Sequence, residues 1–322
     1  MTDDPDEVIS GNVSLKGYVE DPIIGTSWEW IPFAQSKAQY LGMETGKAYR
    51  LTFKYKILSR YDGTGSVGGP FFYVNARPES QGMDYQCDQG LYKFGMTDEI
   101  GVVKSATVEF YLRKVSYKVN GEITEGVFDD YIIQFGMYLY NEIAIDDVTV
   151  EEIDVPESGY EFGSTMTFDG AESFVDFGFM KTNEYGGSEL VAEGPIDGTQ
   201  CIYFENDRWD GEDASYRWST NLKSIPEFVT FEPNTEYRVT FNYQVAKALP
   251  KDSVGFQVYA ESLSEGGVLG NAVRFGTGEA VGTKGSATYT FTTGELTDYS
   301  LMFGMEMSGA CYIDNLKIEK VS

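Results

Sequence analysis

The run Glu152-Ile-Asp-Val-Pro-Glu157 puts three carboxylates close together, the residue type that hydrolyses glycosides when two such groups flank the scissile bond about 5–5.5 Å apart. A catalytic pair must project from one strand into a cleft. Pro156 cannot donate to a sheet ladder, so the run reads as a strand ending in a linker and not as an active site. Asp62-Gly-Thr-Gly65 likewise reads as a hairpin turn. The chain contains no histidine, which removes Ser-His-Asp and Cys-His nucleophile pairs, a neutral-pH imidazole base and histidine-ligated metal. No catalytic residue is assigned, and the chain is read as a non-enzyme.

A different chemistry is abundant. Aromatic residues make up 15% of the chain, and flat rings beside amides and carboxylates suit a pyranose, which offers an apolar C–H face and a rim of hydroxyls. Strand alternation places Trp28, Trp30, Tyr73, Asn75, Arg77, Gln134, Tyr138 and Tyr140 on a polar face in the first half. Tyr216, Trp218, Gln257, Tyr259 and Glu261 take that face in the second half. Trp30 and Trp218 occupy matching positions, as a core residue would, whereas Trp209 sits in the charged run Glu205-Asn-Asp-Arg-Trp-Asp-Gly-Glu-Asp213 and reads as a loop ring that meets a ligand or anchors the loop. Trp28, Tyr73, Asn75, Tyr138, Trp209, Trp218, Gln257 and Tyr259 are the candidate ligand contacts. The acidic loop around Trp209 fails the helix-loop-helix calcium pattern, because Arg208 and Arg217 fall where ligands belong.

The elements that position these residues are short strands. Ser27–Ile57 falls on Ser215–Val245 without a gap: Trp30 meets Trp218, Tyr49-Arg50 meets Tyr237-Arg238, and Thr52-Phe53 meets Thr240-Phe241. Two later blocks, from Phe72 against Phe256 and from Tyr131 against Tyr299, match in the same order. Three ordered blocks mean a tandem pair of one domain. Tyr49, Leu51, Phe53, Tyr55 and Ile57 share one face with period two, as do Tyr237, Val239, Phe241, Tyr243 and Val245. With 36 Gly and only 10 Pro, and with turn clusters between the strands, the class is all-β: two tandem antiparallel jelly-roll β-sandwich domains. The expected division is residues 1–153 as copy one, 154–159 as linker and 160–322 as copy two. Copy one lacks an equivalent of roughly residues 160–198, so its first strand is expected to be missing, and it carries an insertion that includes Gly82–Cys87.

The strand PNTEYRVTFNYQV, the later YTFTTGELTDYSLMFGM and the closing CYIDNLKIEKV resemble the galactose-binding-like carbohydrate-binding modules of families four, nine and twenty-two. The resemblance covers nearly all of copy two and copy one from about Gly11, and its strongest element is the last strand, Ile-Asp-Asp or Ile-Asp-Asn. It implies a jelly roll, polysaccharide binding by aromatic residues and a structural Ca2+. The calcium ligands it implies are Asp314 with Asp169 in copy two, and Asp146 in copy one; each also reads as an ordinary turn or strand-end carboxylate.

A net charge of −27 opposes nucleic-acid binding, which rests on Lys and Arg. No window is long and apolar enough to insert in a membrane. Three cysteines, Cys87, Cys201 and Cys311, imply no disulfide framework and read as buried thiols. The chain is expected to bind polysaccharide without catalysis and to belong, with other modules, to an exported bacterial glycan-degrading or adhering protein that acts outside the cell or at its surface. The competing expectation is a structural or adhesive surface or virion protein that uses the sandwich faces for protein contacts.

Overall fold

The computed structural model describes residues 1–18, 31–60, 71–80, 92–94, 98–119, 122–138, 140–182, 187–192, 196–206, 218–249, 255–264, 266–306 and 308–321. They divide into two compact units that meet between Ile153 and Asp154. Unit 1 holds β1 (Leu15–Tyr18), β2 (Ile31–Gln35), β3 (Ala48–Arg60), β4 (Phe71–Pro78), β5 (Tyr92–Phe94), β6 (Val103–Tyr111), β7 (Val115–Val119), β8 (Glu122–Glu125), β9 (Tyr131–Tyr138) and β10 (Tyr140–Ile153). Unit 2 holds β11 (Thr165–Met166), β12 (Phe179–Lys181), β13 (Ser188–Val191), β14 (Cys201–Asn206), β15 (Trp218–Ser224), β16 (Glu236–Lys247), β17 (Phe256–Ser262), β18 (Val273–Phe275), β19 (Lys284–Thr292), β20 (Tyr299–Glu306) and β21 (Gly309–Lys320).

In unit 1 the sheets run β1-β10-β3-β6 and β2-β9-β4-β5, with β7-β8 as a separate hairpin. In unit 2 they run β13-β14-β21-β16-β19, with β11 on β21, and β12-β15-β20-β17-β18. Taking away β11, β12 and β13 leaves the order of unit 1. The strands pair antiparallel and pass back and forth between two sheets, so each unit is a β-sandwich of jelly-roll type. Among the described residues of unit 1 there is no counterpart to β11, β12 or β13; β2 is an edge strand there, where Pro32 is tolerated because no ladder partner needs its missing N–H.

The cores follow from the period of two. Tyr49, Leu51, Phe53, Tyr55 and Ile57 on β3, like Tyr237, Val239, Phe241, Tyr243 and Val245 on β16, are all buried between the sheets. One ring on each long strand clamps the sandwich. Phe53 meets Phe135 at 5.3 Å and 82° and Phe94 at 5.5 Å and 85°, while Phe241 meets Phe303 at 5.2 Å and 81° and Phe275 at 5.0 Å and 73°. These are edge-to-face contacts, the arrangement ring quadrupoles favour.

The closing strands share a second device. The β10–β3 ladder slips between Asp146 and Thr149, and the β21–β16 ladder slips between Thr240 and Asn242. At the slip Asp147 (φ 49°) and Asn315 (φ 51°) are left-handed, a conformation that Asp and Asn tolerate better than other side chains. The backbone N–H of each donates to the preceding aspartate, Asp147 to Asp146 Oδ1 at 2.8 Å and Asn315 to Asp314 Oδ1 at 2.7 Å. The recurring Ile-Asp-Asp and Ile-Asp-Asn therefore builds a β-bulge.

The units fill one core position in different ways. Phe204 on β14 is buried in unit 2, and pairing against β21 and β10 makes Gly17 on β1 its counterpart. A Cβ on Gly17 would lie 2.6 Å from Met137 Cε and 2.7 Å from the Phe33 ring, so Phe33, on a bulge of β2, supplies the bulk that Phe204 supplies in the other unit. Gly17→Ala is expected to lower stability by about 1–3 kcal/mol through overpacking. Adding Phe33→Leu should return part of that loss, as measured by urea unfolding.

Candidate functional site

The face of sheet β12-β15-β20-β17-β18 turned away from the core carries the polar half of each strand. On β17 the core takes Phe256, Val258 and Ala260, which leaves Gln257, Tyr259 and Glu261 on the other side. Register lines them up with their neighbours in rows. Thr220, Gly304, Gln257 and Arg274 form one row; Lys223, Met302 and Tyr259 form the next. The Tyr259 hydroxyl lies 3.0 Å from Thr220 Oγ1. Tyr259 and Met302 are 6% and 4% exposed, whereas Gln257, Glu261, Thr220 and Glu306 are half-buried and Arg274 is exposed. The face thus has an enclosed ring at its centre and amide, hydroxyl and carboxylate groups around it. Gly304 adds no side chain to the first row.

The matching face of unit 1 has different occupants. Gln35, Gln134 and Asn75 stand where Lys223, Met302 and Tyr259 stand in unit 2, and Pro32, Gly136, Tyr73 and Lys93 form the other row. Gln134 Nε2 donates to Gln35 Oε1 at 3.3 Å, and Asn75 Oδ1 is buried without a hydrogen-bond partner among the described residues. Tyr73 lies over Gly136, where a Cβ would come within 2.1 Å of the ring. At 1% exposure Tyr73 is a plug in the middle of the face and not the open platform its position on the polar side suggests. Burial also raises the pKa of its phenol.

Of the other expected contacts, Trp28 and Trp209 lie outside the described residues, as do Trp30 and Tyr216. Trp218 and Tyr138 are described by backbone alone; Trp218 pairs with Glu306 on β20, and Tyr138 pairs with Phe71 on β4. Thr220, Lys223, Met302 and Arg274 complete the unit 2 face and were not singled out by sequence. Their signal was cross-strand register, which a single strand does not reveal. The carboxylates of the 152–157 run do not share a strand: Glu152 ends β10 in an ion pair with Lys47 (3.0 Å), and Asp154 and Glu157 are exposed beyond it.

The three aspartates implied as calcium ligands are engaged by protein donors. Asp146 Oδ2 accepts from Ser14 Oγ (2.6 Å) and the Ser10 N–H (3.2 Å). Asp169 Oδ1 accepts from Thr199 N–H, Thr199 Oγ1 and Gln200 N–H at 2.7–3.0 Å. Asp314 Oδ2 accepts from the Asp197 N–H at 3.1 Å. Among the described residues no three His, Cys, Asp or Glu side chains converge. Cys201 and Cys311 are buried free thiols, and burial pushes Cys201 up to about 12; Cys87 lies outside the described residues.

The matching aspartates titrate in opposite directions. Burial disfavours the Asp146 anion, but hydrogen bonds from Ser14, Asp147 and Ser10 outweigh it and lower the pKa. Asp314 is 1% exposed, and burial, with the charges of Asp197 and Asp169 adding to it, pushes its carboxyl up to about 6. A folded pKa above the unfolded value means that the native state holds this proton more tightly. The stability cost of the Asp314 anion is therefore full above pH 6 and disappears as pH falls toward 4.

No protein-family model matches the chain, and no curated protein matches it. Among solved structures it is similar to the N-terminal tandem of two family 22 carbohydrate-binding modules from Paenibacillus barcinonensis Xyn10C, at 10% identity and a TM-score of 0.34 over 99% of this chain and 90% of that one. The xylan-binding first module of that tandem, taken alone, matches at 12% identity and a TM-score of 0.33 over 51% of this chain and 97% of its own. A family 16 carbohydrate-binding module matches at 17% identity and a TM-score of 0.29 over 41% and 85%.

The Asp314 titration gives a direct test. Asp314→Asn should lose one acceptor bond at every pH but gain a relief of charge that grows from pH 4 to pH 6 and is constant above, so its stability relative to the parent should shift in its favour by about 2 kcal/mol between pH 4 and pH 8. Urea midpoints across that range measure the shift. A constant difference would contradict the assignment.

Proposed function

We propose that the protein binds polysaccharide without catalysis, and that the binding surface is the outer face of β15, β20, β17 and β18 in unit 2. The observation that carries this reading is the row Lys223-Met302-Tyr259 beside Thr220-Gly304-Gln257-Arg274. It combines a phenol ring, an apolar thioether and groups that donate and accept hydrogen bonds, beside a glycine that leaves space. A neutral sugar chain can share hydroxyls with the half-buried Gln257, Thr220 and Glu261, which stand around the buried Tyr259 and Met302, with no charge of its own to desolvate. In unit 1 the corresponding space is filled by Tyr73 over Gly136, which favours unit 2 as the binding unit.

Capture of this kind depends on preorganisation. Side chains fixed by sheet packing lose little freedom on binding, so a modest number of contacts yields useful affinity. The reading extends to an exported protein in which such a module holds other parts of a longer chain on a glycan.

Affinity electrophoresis of the intact chain through gels containing laminarin, barley β-glucan, xylan, glucomannan or starch tests the reading. Retardation by at least one polymer is expected. Tyr259→Ala should weaken it about tenfold and Gln257→Ala about threefold, in line with the loss of the buried ring that supports Thr220 and its neighbours and of one hydrogen-bonding group. Migration unchanged in every gel, or retardation indifferent to Tyr259, would contradict the reading.

A further inference from the structure

The larger sheet of unit 2 carries an unbroken row on the side away from its core. Glu189 on β13 pairs with Tyr203 on β14, Tyr203 with Tyr312 on β21, Tyr312 with Gln244 on β16, and Gln244 with Lys284 on β19. With strands ~4.8 Å apart, this row is about 19 Å long. Core-facing neighbours on the same strands, Ile202, Phe204, Cys311, Ile313 and Tyr243, are buried, whereas Tyr203, Tyr312 and Gln244 are half-buried and Glu189 and Lys284 are exposed.

Three features make the middle of this row a binding surface and not only a cross-strand packing pair. The two rings lie 5.2 Å apart at 49°, a tilted pair in contact across two neighbouring strands. The Tyr203 hydroxyl donates to Glu205 Oε2 at 2.7 Å, which fixes that ring. Beside the pair, Gln244 Oε1 is buried with no hydrogen-bond partner among the described residues, an acceptor whose desolvation is uncompensated until something donates to it.

The duplicated unit shows the same row put to another use. Its residues there are Lys16, Ala144, Lys56 and Val103. Lys16 pairs with Glu7 (2.6 Å) and Glu142 (2.9 Å), and Lys56 donates to the carbonyls of Asp6 (2.8 Å) and Val8 (3.3 Å). The N-terminal residues thus cover the row in unit 1. In unit 2 the covering lysine contacts are replaced by two tyrosines and an amide.

We infer that Tyr203, Tyr312 and Gln244 form a second sugar-binding site on unit 2, on the opposite sheet from the Tyr259 face. Its ligand is a neutral glycan chain laid across the strands, with a pyranose face against the outer side of the tyrosine pair and a hydroxyl donated to Gln244 Oε1. The inference rests on the reading that the protein binds polysaccharide, and it makes unit 2 a module with two faces able to hold two chains.

The same five polymer gels test it with the intact chain. Tyr203→Ala/Tyr312→Ala should weaken retardation at least threefold, Gln244→Leu at least twofold, and Tyr312→Phe, which keeps the ring, by less than 1.5-fold. Combined with Tyr259→Ala, the double substitution should remove retardation that Tyr259→Ala alone leaves. Gln244→Leu keeps the test valid if loss of both rings unfolds the unit, as monitored by circular dichroism. Parent retardation that survives all the row substitutions unchanged overturns the second site while leaving polysaccharide binding intact, and absence of parent retardation overturns both. If the row substitutions instead abolish self-association in sedimentation equilibrium and leave retardation unchanged, the face is a protein interface and the inference is overturned.

Discussion

Everything else in the molecule depends on one contact made twice: a phenylalanine from the middle of a long strand, edge-on to rings of the opposite sheet. Phe53 with Phe135 and Phe94, and Phe241 with Phe303 and Phe275, fix the two sheets of each unit against each other at nearly the same distances and angles. Because strand side chains alternate, committing these rings to the interior commits every second residue on the same strands to the exterior. The outer rows are therefore as rigidly placed as the core, and rigidity is what a sugar-binding surface requires.

The two units show how far such rows can diverge on one scaffold. Gln35-Gln134-Asn75 and Lys223-Met302-Tyr259 occupy the same places on the smaller sheet. Lys16-Ala144-Lys56 and Tyr203-Tyr312-Gln244 occupy the same places on the larger one. In unit 1 one face is plugged by its own tyrosine and the other is covered by its own N-terminal residues. Among the described residues unit 2 has neither arrangement at these positions, and it also has β11, β12 and β13, which have no counterpart among the described residues of unit 1. The duplication has preserved the core and altered the surfaces.

The sequence made some of this legible and hid the rest for physical reasons. The inward sets on β3 and β16 follow from local alternation, and the repeat itself follows from Trp30 against Trp218 and Phe53 against Phe241. Gly17 and Phe33 were illegible because a ring moved from one strand to another while the volume stayed constant. Tyr73 read as a platform because its strand puts it on the polar side; that it lies down over Gly136 is decided by the neighbouring strand. In Ile-Asp-Asp and Ile-Asp-Asn the last residue, Asp147 or Asn315, takes the left-handed conformation of a bulge, which follows from the ladder slip and not from the strand pattern. The tyrosine row was missed altogether, since Tyr203, Tyr312 and Gln244 become neighbours only through the pairing of β14, β21 and β16.

The central claim is that unit 2, through its Tyr259 face, takes the sugar and that the equivalent face of unit 1 does not. The most direct measurement is a set of 1H–13C spectra of the chain labelled at tyrosine, titrated with soluble oligosaccharides of the polymer that retards it most. The account predicts that the Tyr259 resonances shift and saturate while those of Tyr73 stay fixed. Movement of Tyr73 without Tyr259, or of neither, would contradict it.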